Sequence, residues 1–170
     1  GSFTNQYTGM GTGDITVNNS GVFTNYRAGL DAEDVTLHGS GVFNNTQAGL
    51  DIDDDLSLDG ASVFNNTNAG VDVDGDIEMS SASIFNNIEG RVDSDDEIHV
   101  GVLDSDAARF NITNGEVNAD YIDVYGQSAF VNNDGGVDVD NSGAQIDVEK
   151  QSTFDNENAG WVFSPEGAGN

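Results

Sequence analysis

Gly41-Val-Phe-Asn-Asn-Thr-Gln-Ala-Gly-Leu-Asp-Ile-Asp-Asp-Asp-Leu-Ser-Leu58 holds three period-two runs, Gly41/Phe43/Asn45, Leu50/Ile52 and Leu56/Leu58, punctuated by Gly49 and by Asp53-Asp54-Asp55. The string recurs as Ala61-Ser-Val-Phe-Asn-Asn-Thr-Asn-Ala-Gly-Val-Asp-Val-Asp-Gly-Asp-Ile-Glu-Met79. Period-two alternation is the mark of a strand buried on one face. A fixed repeat near twenty residues built from such strands is the mark of a solenoid, in which each unit is one coil.

Aligning the chain on phenylalanine extends the repeat to both ends. Phe3, Phe23, Phe43, Phe64, Phe85, Phe110, Phe130 and Phe154 lie 20, 20, 21, 21, 25, 20 and 24 residues apart. Two residues after each comes Asn5, Asn25, Asn45, Asn66, Asn87, Asn132 or Asn156, and only the Phe110 unit breaks the rule, with Ile112. Two residues before it stands a small residue, and five or six after it a glycine, from Gly9 to Gly160. Second runs such as Leu30/Ala32 and Val71/Val73, and third runs such as Val35/Leu37 and Ile77/Met79, complete each unit. The expectation is an all-β parallel β-helix of about eight coils of 20 to 25 residues, three short strands each. It spans residues 1–170 as one domain, with 164–170 as a C-terminal tail.

Stacked Phe rings and stacked Asn amides are favourable at the spacing of adjacent strands, so both columns are expected to be core structure. The pattern F-x-N-x-x-x-G-[LV]-x-[VIA]-x-x-x-[IVL]-x-[LMV], as in Phe43 to Leu58, resembles the coils of filamentous-haemagglutinin-type β-helices, the stalks of large secreted bacterial adhesins. That resemblance implies an extracellular rod in adhesion, biofilm or surface-layer work. It implies nothing about a catalytic site.

Composition narrows the partners. Among 170 residues there are 31 acidic and 4 basic ones, for a net charge of −27. Such a surface repels nucleic acid and anionic membranes. No cysteine is present, which excludes thiol chemistry, and no apolar stretch is long enough to span a bilayer. The absence of an initiating Met and of a signal segment reads as a processed mature protein or an excised fragment, and the expected location is secreted, extracellular or at a cell surface.

In register, Asp31, Asp51, Asp72, Asp93 and Asp138 form an outward column, with Asp54 and Asp74 in the turn that follows. Carboxylates about 4.8 Å apart repel by roughly 0.9 kcal/mol per pair even in water. Either a solvated face in high salt or Ca²⁺ between coils answers that repulsion, and no cofactor is otherwise required. Neither an EF-hand loop nor a glycine-rich calcium nonapeptide is present.

No Ser-His-Asp arrangement fixes a nucleophile beside a base, so no catalytic residue is assigned. Arg91 and Arg109 with Asp93, Asp104 and Asp106 are the one grouping resembling the basic and acidic sets of polysaccharide-cleaving β-helices. Asn44, Asn65 and Asn111 each begin an N-x-T sequon on an outward position, and are glycosylation candidates in a secreted chain. An ice-binding threonine column fails, because Thr4 and Thr24 give way to Asn44, Asn65 and Asn86. At the ends, Gly1 and Phe3 open the first coil, while Trp161 and Phe163 stand where the last aliphatic column ends. These four are the expected head-to-tail interface of a self-assembling filament. The alternatives are an adhesin stalk or Ca-dependent adhesive module, and a polysaccharide-binding or polysaccharide-cleaving β-helix.

Overall fold

Two parallel sheets, one of them folded into two walls, wrap one core in the computed structural model, which describes residues 1–139 and 145–158 and the backbone of 160–163. Together they form an all-β parallel solenoid of about seven turns without a helix. The first wall is an eight-stranded sheet running from Ser2–Gln6 through Val22–Tyr26, Val42–Thr46, Val63–Thr67, Ile84–Ile88, Arg109–Thr113 and Ala129–Asn133 to Thr153–Glu157. Its register is unbroken: Phe pairs with Phe at every step from Phe3↔Phe23 to Phe130↔Phe154. The second wall is made by strands such as Gly29–Ala32, Gly49–Ile52 and Gly70–Val73, the third by Val35–His38, Leu56–Leu58 and Ile77–Met79. In two coils the expected pair of strands is one continuous strand, Arg91–Val100 and Glu116–Val124, because the acidic turn there stays extended and bulges between Ser94 and Glu97.

The core is a set of columns. Seven Phe–Phe contacts place ring centroids 4.5 to 5.0 Å apart, and every ring from Phe43 to Phe130 is fully buried. Each offset-stacked pair adds about 0.5–1.5 kcal/mol beyond area burial. Beside the rings, Asn5, Asn25, Asn45 and Asn66 each donate from Nδ2 to the Oδ1 of the next asparagine, ending at Asn87, at 2.9 to 3.0 Å. Ile112 interrupts that ladder, so Asn87 donates to the carbonyls of Gly90 and Glu116 instead, and the buried Oδ1 of Asn132 is left without a partner. Asn132 resumes the ladder by donating to Asn156 at 2.8 Å.

The corner between the first and second walls is turned by a left-handed residue four positions after each Phe: Tyr7, Arg27, Gln47, Asn68, Glu89, Asn114, Asp134 and Asn158, with φ from 49° to 62°. None of these is glycine. The glycines that follow divide into two columns with different work, a division the repeat alignment hides. Gly90, Gly115 and Gly135 occupy the position filled by Ala28, Ala48 and Ala69 in other coils, and a Cβ on Gly90 would sit 2.5 Å from Asn66 Nδ2 and 2.6 Å from Asn87 Oδ1. Gly29, Gly49 and Gly70 lie one residue further along, where a Cβ would meet nothing within 4 Å. In that second column Gly70 pairs with Arg91, then Glu116 and Gly136.

Candidate functional site

The outward side of the second wall is two residues wide, glycine beside aspartate. Leu30, Leu50 and Val71 point into the core between them, so the glycines leave a floor of bare backbone. The result is a shallow axial trough of about 640 Å³ along Gly9, Gly29, Gly49 and Gly70, with Asp31, Asp51 and Asp72 on one bank. Arg91 closes it by pairing with Asp93. The same Asp93 accepts from Asn118 Nδ2 at 2.9 Å.

The structure thus places Asp31, Asp51, Asp72, Asp93 and Asp138 in one register column, through Asn118. Partial loss of water first, and then the charges of Asp93 and Asp51, raise the Asp72 carboxyl above its ordinary 3.8. Asp53 is raised as well, by desolvation and then by Asp31, Asp51, Asp74 and Asp54. Among the described residues no three His, Asp or Glu side chains are grouped so as to hold a metal ion.

The acid of the following turn has a second, structural use. Asp34 Oδ1 accepts the Asp55 N–H at 3.1 Å, Asp55 Oδ1 the Asp76 N–H at 2.9 Å, and Asp76 Oδ1 the Glu97 N–H at 3.0 Å. Each carboxylate therefore staples its own coil to the amide of the next. All three of the consecutive aspartates are exposed, and Asp55 is the one whose carboxylate makes a staple. At the third corner Asp59 accepts from Ser81 Oγ, the Gly60 N–H and Ser80 Oγ, with His38 3.7 Å away, and these contacts hold its carboxyl below 3.8.

The basic and acidic grouping considered for cleavage chemistry does not assemble. Arg91 is committed to Asp93, and Asp106 is buried, its Oδ2 accepting the Val102 and Leu103 N–H groups of its own loop. Asp104 accepts from Tyr125 OH at 2.8 Å, and no ion pair joins Arg109 to any of them among the described residues. His99 faces outward between Glu97 and Asp123, at 3.0 and 3.8 Å.

The sequon asparagines hold a second ladder missed in sequence. Asn65 donates to Asn44, Asn86 to Asn65 and Asn111 to Asn86, at 2.9 to 3.0 Å on the outer side of the first wall. Two adjacent asparagines repeating at the coil period were the available signal, since one must face in and the other out. Gly1 and Phe3 lie on the axial face of the first coil, where the Phe3 ring is 50% exposed. The side chains of Trp161 and Phe163, and residues 164–170, lie outside the described residues, although the backbone of 160–163 pairs with Gly136–Val139.

No protein-family model, curated protein or solved structure matches this chain. The solenoid's own geometry is therefore the basis for any functional reading.

Proposed function

We propose that this chain is a non-enzymatic structural element of a secreted, extracellular fibre or matrix, extended along the solenoid axis by further copies of itself. The observation that carries this reading is the sameness of the contact from coil to coil: Phe rings stack 4.5 to 5.0 Å apart from Phe3 to Phe154, with Asn amides bonded in register beside them from Asn5 to Asn87. A further copy stacked on an end coil would repeat that contact, and a contact that does not close on itself builds a filament. The resemblance of the coil pattern to filamentous-haemagglutinin-type stalks supports the same mechanical role.

A calcium-dependent adhesive module is the second reading, favoured by the Asp31, Asp51 and Asp72 column, since Arg91, the cation lining the same trough, is paired with Asp93. Electron microscopy of the purified chain, with and without chelator, tests both. Rods that lengthen with concentration in either condition, and stay short in Phe3→Glu, support axial assembly. Lengthening that vanishes on chelation transfers the role to calcium, and short rods throughout overturn the filament.

A further inference from the structure

The acids are distributed over two walls and the corners, and one wall is nearly free of them. On the first seven strands of the first wall the outward residues include no acid, and Arg109 is their one charge. In the middle strands the outward triplets are Val22/Thr24/Tyr26, Val42/Asn44/Thr46, Val63/Asn65/Thr67 and Ile84/Asn86/Ile88, side by side in exact parallel register. A protein of net charge −27 thus carries one regular, uncharged, β-branched and amide-rich face.

We propose that this face is a self-association surface, on which a second copy of the chain packs sheet on sheet. Three observations select that occupant. Identical side chains stacked in parallel register at the strand spacing, with an ordered Asn ladder among them, are the surface from which dry interfaces between paired sheets are made. The charge distribution favours contact here, since the second wall presents its Asp column and the third wall carries Glu78, Asp123 and Asp147 in its later coils. An aromatic platform for sugar stacking is missing from the middle of the face, where Tyr26 is the one ring and carries Arg27 against it.

The area sets the strength. Seven strands at about 4.8 Å spacing and five residues each cover about 550 Å² per copy, below the roughly 800 Å² per partner of a standard stable interface. Single copies therefore associate weakly, while rods joined end to end would pair strongly. The proposal itself does not depend on axial assembly. Paired sheets sit about 10 Å apart, with the acids on the far sides, so the opposing force is long-range repulsion, which salt removes as the screening length drops to about 3 Å at 1 M.

Sedimentation velocity and small-angle X-ray scattering of the purified chain, from about 0.1 M to about 1 M NaCl, test the idea. The expected result is self-association tightening by about tenfold or more, with a thicker cross-section at constant length. Axial assembly would instead lengthen the particle at constant cross-section, so the two readings are separable. Thr24→Glu/Thr67→Glu should abolish the thickening, whereas Thr16→Glu/Ser57→Glu, with equal added charge on the third wall, should not. Circular dichroism checks that both fold, and Thr24→Val/Thr67→Val should associate more tightly than the parent. Association that weakens with salt, or that both Glu pairs abolish equally, overturns the proposal. So does a cross-section that never changes while the monomer is retained on an insoluble neutral glucan.

Discussion

Two glycines one position apart in the sequence repeat, Gly90 and Gly49, have opposite mutational sensitivity. Gly90→Ala drives a Cβ into Asn66 Nδ2, Asn87 Oδ1 and the Ala69 carbonyl, all within 2.8 Å, so the inner amide ladder must distort. Overpacking of this kind costs about 1–3 kcal/mol. Gly49→Ala meets nothing, has no positive φ, and should be neutral or stabilise by about 0.4–1 kcal/mol by restricting the unfolded chain. Urea unfolding midpoints of the two variants check the pair, and equal destabilisation would refute the two-column reading. The asparagines separate in the same way. Asn66 accepts from Asn45 and donates to Asn87 and to the Ala69 carbonyl, so Asn66→Ala strands buried partners and is expected to cost about 2–3 kcal/mol. Asn132, whose Oδ1 is already unpartnered above Ile112, should cost about half as much, measured by the same titration.

At the scale of the turn, the three consecutive aspartates differ in what they touch. Asp55→Ala removes the acceptor of the Asp76 N–H and should destabilise by about 1 kcal/mol, whereas Asp53→Asn removes one repelling charge and should stabilise. Thermal unfolding at neutral pH and low salt checks the opposite signs. Sequence made the strands legible because inward Phe, Asn and aliphatic residues recur at fixed phase, and a one-residue slip would expose every one of them. It did not distinguish Asp53 from Asp55, because a turn carboxylate either faces water or folds back onto the next coil's amide, and that choice depends on turn geometry. The glycine columns escaped for a related reason. Their one-residue offset shifts a backbone contact and leaves the flanking alternation intact. The fused strands at 91–100 and 116–124 have no local marker, since the turns at 33–34 and 53–55 lack glycine as well and still break the strand.

For the whole molecule, stability is a contest between axial columns inside and axial columns of like charge outside, so pH should act with two signs. Asp72 and Asp53 have carboxyls raised above 3.8 in the folded chain, and the folded state therefore binds more protons than the unfolded state just above that pH. Their contribution opposes folding at neutrality and is relieved as pH falls toward 3.8, so stability should first rise on acidification. Asp59 is lowered, and its contribution is present above 3.8 and lost as pH falls through its folded value. Below 3.8 stability should therefore fall. Salt acts on the like-charge share of the first limb, since screening weakens repulsion along the Asp column but neither the partial loss of water there nor the short hydrogen bonds around Asp59. Thermal unfolding followed by circular dichroism from about pH 7 to about pH 3, at about 0.1 M and about 1 M NaCl, should give a maximum on the acid side of neutrality that flattens in high salt. A steady loss of stability from neutrality downward, unchanged by salt, would mean that the carboxylate column is not strained and that the trough it lines holds its charge without cost.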